Sequence, residues 1–238
     1  MDEGLDFRLE QEMLGPAVEW LRGLNLLIKR EFQTPWGICD LVGLRFNEAR
    51  VQERLSLGQH STLGSALWIM LLQQIPDCRA HRSVTLERLE EMFDGIMTAD
   101  ELGSEIIRLV KGKFVRRTRN GSLQKRNGWA PLQERLVALE LKLSRVEDVF
   151  SQALSNLAFA DESYVGLPAK AAARLLETRR CREFERAGVG IVSISPDACK
   201  IILPSRRQSL RVDPLVQMRC VERFWRVRAR APMMVRDN

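Results

Sequence analysis

No stretch of this sequence is long and apolar enough to cross a bilayer. The longest apolar run, at 63–72, carries Gly64 and Ser65 and falls well short of the ~20 residues a span requires. It is expected to form a buried helix. The first thirteen residues, MDEGLDFRLEQEM, are acidic and lack a basic start followed by an apolar core, so no signal peptide is expected. Cysteine is sparse and unpaired in pattern. Cys39, Cys78, Cys181, Cys199 and Cys220 are odd in number, far apart and without a CxxC pair. That argues against a disulfide framework or a zinc site, and for a reducing, cytoplasmic setting. His60 and His81 stand too far apart to suggest a metal pair. No fixed-period repeat or low-complexity segment appears.

What remains is an ordinary globular composition, 45% hydrophobic and 29% charged over 238 residues, enough for one large domain or two small ones. A chain of this length buries about 70% of its unfolded surface and needs no metal or disulfide to fold.

Lysine is scarce as well: of 37 cations only seven are lysine, and the net charge is +6. The arginines concentrate in two stretches, and guanidinium groups grip phosphate as a bidentate fork. The first stretch holds Lys111, Lys113, Arg116, Arg117, Arg119, Lys125 and Arg126 with no acid among them, and Arg108 precedes it. The second is the tail, with nine arginines from Arg206 to Arg236 against Asp213 and Glu222. Both read as polyanion-binding surface, or as solvated charge if nothing meets them.

Residues 9–25 show helical spacing through Met13, Leu14, Val18, Leu21 and Leu24, with Pro16 as the one blemish. From Leu26 the period changes to two short β-rich runs joined by Thr34-Pro35-Trp36-Gly37, a hairpin. After Asn47 the pattern is helical for some eighty residues. It ends in a third helix opened by the capping-box sequence Thr98-Ala99-Asp100-Glu101 and in a basic hairpin around Asn120-Gly121, expected as a tight type I′ turn. Three helices followed by a basic hairpin is the order of a winged helix-turn-helix. Beyond Pro131 a strand alternates Val137, Leu139, Leu141 and Leu143 against Ala138, Glu140 and Lys142. Helix at 146–160, strand at 163–167, helix at 169–187 and strands at 189–195 and 199–203 follow, an alternating β and α order around a central sheet. Phe224 and Trp225 are expected to dock a C-terminal helix with its arginines facing out.

Chemistry concentrates on two strands. Glu140 and Lys142, two residues apart, project from one face of their strand about 7 Å apart. Asp40 sits among Ile38, Cys39, Leu41 and Val42, where an ionised carboxylate is costly without a partner or a metal. Two carboxylates on neighbouring strands form the oxygen-rich set that Mg2+ requires. A lysine beside them can orient or help deprotonate the water that attacks a phosphodiester. The bland reading is that Glu140 and Lys142 simply pair with each other or with neighbours.

The helix, the hairpin with Gly37-Ile38-Cys39-Asp40, the strand Val137-Ala138-Leu139-Glu140-Leu141-Lys142 and the helix carrying Gln152 together resemble the PD-(D/E)XK nuclease superfamily, the restriction-endonuclease-like fold. The resemblance covers residues 9–47 and 131–195. It implies an α/β fold with a discontinuous nuclease-like core at 1–50 and 130–204, a winged-helix-like insertion at 51–129 and an arginine-rich tail at 205–238. It also implies that Asp40, Glu140 and the Leu141 carbonyl ligate Mg2+ or Mn2+, with Lys142 acting on the water. An acid on the first helix often joins them, for which Glu19 is the first candidate and Glu31 its competitor, and Gln152 resembles an accessory glutamine. Cys39 departs from the usual proline before the aspartate, and about eighty residues separate the two halves of the motif.

The expectation is therefore a cytoplasmic, metal-dependent DNA nuclease, acting as a homodimer or with a partner protein and not at a membrane. Its rivals are a non-catalytic DNA-binding module on the same scaffold and a subunit active only with its partner.

Overall fold

Pro16 does not break the first helix because the helix begins just before it. In the computed structural model, which describes residues 7–126, 131–144, 146–207 and 211–228, a 3-10 turn at Glu10–Met13 leads into α1 (Leu14–Gly23). Pro16 falls in the first turn, where amides have no partner within the helix. The chain divides into two units, Met1–Arg45 with Gln133–Gln217, and Phe46–Leu132 with Met218–Asn238.

The first unit is a mixed α/β structure around a six-stranded sheet. Its strands are β1 (Leu27–Thr34), β2 (Gly37–Phe46), β5 (Gln133–Leu141), β6 (Glu162–Pro168), β7 (Gly190–Ile194) and β8 (Cys199–Leu203), side by side in that order. β1 and β2 form the expected antiparallel hairpin, β5, β6 and β7 run parallel, and β8 returns antiparallel. Helices cover both faces. Met13, Ala17, Val18 and Leu21 pack with Leu41, Leu139 and Ile194 on one side. On the other, α6 (Val146–Asn156), α7 (Ala169–Leu176) and α8 (Arg179–Ala187) enclose Val165, Leu167 and Ile191. β5 is consequently buried on both faces from Leu136 to Leu141, so its alternation does not mark a wet side. The single helix expected at 169–187 is two, because Thr178 is extended at φ −93° and ψ 158° and occupies the N-cap position of α8. At Gly166, the partner of Leu141, an added Cβ would lie 2.7 Å from Ile194 and 2.8 Å from Leu141. The sheet is therefore tightly closed where β5 ends.

In the second unit four helices are N-capped by short polar side chains. They are α2 (Glu48–Ser56, Asn47), α3 (Ala66–Gln74, Ser65), α4 (Leu86–Met92, Thr85) and α5 (Ala99–Lys111, Thr98). Thr98 and Glu101 form the capping box read from the sequence. The hairpin β3 (Val115–Arg117) and β4 (Leu123–Lys125) follows, and Val84 exchanges backbone hydrogen bonds with Leu123 at its edge. Its turn is not the tight type I′ expected from Asn-Gly. Gly121 alone in it is left-handed, at φ +83°. The amide of Thr118 bonds the carbonyl of Ser122, and that of Gly121 the carbonyl of Thr118, which makes a three-residue loop closed by a left-handed glycine.

The C-terminal helix α9 (Pro214–Arg228) enters this unit at Met218, so that part of the tail is not a segment apart. Phe224 and Trp225 are buried as expected, with Arg219 and Arg223 exposed. Arg54 of α2 is fully buried and binds Glu222 of α9 through two nitrogens. The tail residues Arg230 and Arg236 lie outside the described residues.

Candidate active site

The β1–β2 hairpin places Asp40 half-buried on β2 beside β5. Its Oδ2 accepts the amide of Leu141 at 2.7 Å. The Leu141 carbonyl shares that edge of the strand, because N–H and C=O of one strand residue point the same way. Glu140, 3% exposed, is held by α6, where the Asn156 side-chain amide donates to Oε1 at 2.6 Å. Beyond the end of β5, Lys142 turns to the N-terminal segment, its Nζ 3.0 Å from Glu10 Oε2, and the Leu143 amide donates to the same carboxylate at 3.4 Å. Four residues from three distant parts of the sequence thus meet at one end of the sheet.

Electrostatics marks the two inner carboxyls. Burial raises the pKa of Asp40 above the ordinary range, and the nearby Glu10 carboxylate adds to it, while the Leu141 amide and Lys142 oppose it. Burial also raises that of Glu140, with Asp40 adding repulsion and the Asn156 hydrogen bond opposing. Two carboxyls that burial and a neighbouring carboxylate push toward their neutral forms are stabilised in the charged form by a cation. The donors present are carboxylate oxygens and a backbone carbonyl, hard oxygens of the kind Mg2+ accepts. Asp40, Glu140 and the Leu141 carbonyl are the donors that could hold such an ion, with Glu10 as a further carboxylate near Lys142.

The raised pKa of Asp40 has a measurable consequence. A group that titrates higher in the folded than in the unfolded chain supports folding fully below its unfolded pKa, and that support is lost as pH rises through the folded one. Asp40→Asn is expected to raise the thermal midpoint of the metal-free protein at about pH 8, with the gain vanishing below about pH 4. Thermal unfolding across that range checks this, and a gain that grows toward acid would refute it. Added Mg2+ should stabilise the wild type more than the variant.

The remaining sequence candidates fall unevenly. Glu19 is exposed and pairs with Arg22 on its own helix, whereas the acid of the N-terminal segment that reaches Lys142 is Glu10. Glu31 is exposed at φ +47°, and the β1–β2 ladder skips the Glu31–Asp40 position. Gln152 makes no hydrogen bond to Glu140, but lines a cleft of about 180 Å³ whose wall includes Glu140. Asn156, one helical turn further on the same face, bonds it instead. Its place four residues after Gln152, on the same face of the expected helix, is the signal in the sequence. Cys39 is buried, and burial foremost pushes its thiol well up, as expected of a packing residue.

In the second unit Arg108, Lys111, Lys113, Arg116, Arg117 and Arg119 are exposed, and Arg126 is partly so. Arg108 pairs with Glu105, and Arg116 grips Gln124 Oε1 through two nitrogens at 2.8 and 3.1 Å. Lys125 departs from the expected outward cation. Its Nζ donates to the Leu72 carbonyl at 2.9 Å, and burial lowers its pKa.

No family model matches the chain, and no curated protein does. Among solved structures it is similar to one described as the SPO1766 protein of unknown function from Silicibacter pomeroyi. That similarity has 11% identity and a TM-score of 0.43, over 94% of this chain and 88% of that one. No helix among the described residues is long and apolar enough to cross a membrane.

Proposed function

We propose that the chain is a Mg2+-dependent DNA nuclease on a restriction-endonuclease-like core. The observation that carries the reading is the convergence of Glu10, Asp40, Glu140 and Lys142, with Asn156 fixing one carboxylate and Glu10 holding the lysine. The element order supports it too: helix, hairpin with Asp40, strand with Glu140, helix, then a parallel strand. Mn2+ would serve the same ligands.

Asp40, Glu140 and the Leu141 carbonyl would hold the ion, which supplies Lewis-acid polarisation of the phosphodiester. Lys142 orients the attacking water and stabilises the charge that builds on the phosphate, and Glu10 keeps its ammonium in place. Asn156 prevents Glu140 from swinging away. The test is incubation of purified protein with supercoiled plasmid and Mg2+ or Mn2+, where nicking or linearisation that chelator abolishes is the expected result.

The second unit reads as a winged-helix DNA-binding element, with Val84, α4, α5 and the β3–β4 wing in the order that module uses. Its exposed cations would meet phosphates and so position DNA without reading sequence. Reversing Arg116, Arg117 and Arg119 to glutamate should weaken DNA binding and flatten its salt dependence by about 0.9 in the log–log slope for each phosphate no longer neutralised. Binding titrations over a range of salt decide this, and an unchanged slope would remove the wing from the interface.

A further inference from the structure

We infer that the cleft between the β1–β2 turn and α6 receives an unpaired base of single-stranded DNA, stacked on Trp36 beside Glu140. This deepens the nuclease reading and rests on it for the identity of the ligand. The cleft is lined on the turn side by Trp36, Gly37 and Ile38, and on the helix side by Gln152 and Asn156, with Glu140 in its wall. At about 180 Å³ it is smaller than the roughly 300–1,000 Å³ of pockets that take whole small ligands. It suits one fragment of a ligand whose remainder lies outside, as with one base of a strand.

Its walls match a base in chemistry. Trp36 is 42% exposed and Ile38 58%, and Trp36 is the one aromatic among the exposed large apolar side chains of the described residues. The indole is nonetheless held in place: its ring lies 6.4 Å from that of Phe159, which stacks on Phe32 at 6.1 Å. An aromatic ring fixed from behind and open in front is a stacking platform. On the helix side of the same cleft, Gln152 offers an amide with donors and an acceptor for a base edge. A base in an intact duplex is stacked and paired, and would have to be extruded first, so the cleft favours a strand whose bases are already free.

The test measures equilibrium binding of full-length protein, with Ca2+ in place of Mg2+, to three labelled probes of equal length. These are a single-stranded DNA oligonucleotide, its blunt duplex, and a base-free sugar–phosphate chain. Trp36→Ala should weaken the single strand by roughly 5- to 150-fold, the worth of one base–aromatic stack, and leave the duplex and the base-free chain nearly unchanged. Trp36→Phe should keep most of the affinity, and circular dichroism should show both variants folded. No loss, an equal loss on all three probes, or no single-strand binding by the wild type would overturn the inference. Trp36-dependent binding in a protein that never cleaves DNA would refute the nuclease reading alone, whereas cleavage without it would refute only the cleft assignment.

Discussion

On the proposed nuclease reading, Lys142→Ala is expected to reduce Mg2+-dependent DNA cleavage by at least about 100-fold, the lower end of what one donor that stabilises developing charge contributes, while DNA binding stays nearly intact. The lysine lies just past the end of β5, whose Leu141 amide is bound by Asp40, and its ammonium is fixed 3.0 Å from Glu10. Truncation removes the cation without opening the core, because the side chain is only partly buried. Plasmid nicking beside a gel shift reads both quantities. Loss of binding together with cleavage would make Lys142 a phosphate ligand, and undiminished cleavage would end its role in the chemistry. Glu10→Gln supplies a finer test: it keeps a polar partner near Lys142 while removing the charge, so a smaller loss than that of Lys142→Ala is expected.

The second large effect is one of stability. Arg54 and Glu222 are both buried, and the carboxylate is shared between the guanidinium and the Leu63 amide at 2.8 Å. The guanidinium also donates to the carbonyls of Gln59 at 3.2 Å and Ser61 at 2.6 Å, and lies 4.3 Å from the Trp225 ring. Every nitrogen of Arg54 therefore has a partner inside this unit. Glu222→Ala leaves a buried cation whose anion is gone, and should lower stability by about 3–5 kcal/mol. Replacing both members, Arg54→Met with Glu222→Leu, should recover most of that stability, since no charge is then left in the core. Denaturant unfolding compares the three proteins. A single-variant loss below about 1 kcal/mol would place the pair among solvent-screened surface bridges, and failure of the double variant to recover would show that the carbonyl hydrogen bonds of Arg54 carry the stability.

Local signals are enough for part of this architecture. Strand period and turn residues identify the β1–β2 hairpin, and alternation identifies β5. An acid hemmed in by apolar neighbours is sufficient to single out Asp40. Those signals act over a few residues. Glu10 meets Lys142 across 132 positions, and Asn156 reaches Glu140 from the next helix. The family resemblance points to an acid on the first helix and so to Glu19, but the acid that reaches Lys142 lies in the 3-10 turn before α1. The charge run alone makes Lys125 an outward cation, yet the Leu72 carbonyl that captures it belongs to α3, some fifty residues earlier in the chain.

Periodicity, capping and turn chemistry are local, and so the residues alone suffice for most element types, the capping box at Thr98, the two strands that carry carboxylates and the burial of Phe224 and Trp225. Folding in three dimensions settles which acid faces Lys142, which amide holds Glu140, and that the C-terminal helix anchors through Glu222 to a buried arginine. Each of those depends on desolvation and hydrogen-bond geometry between segments far apart in the chain, which no spacing rule records.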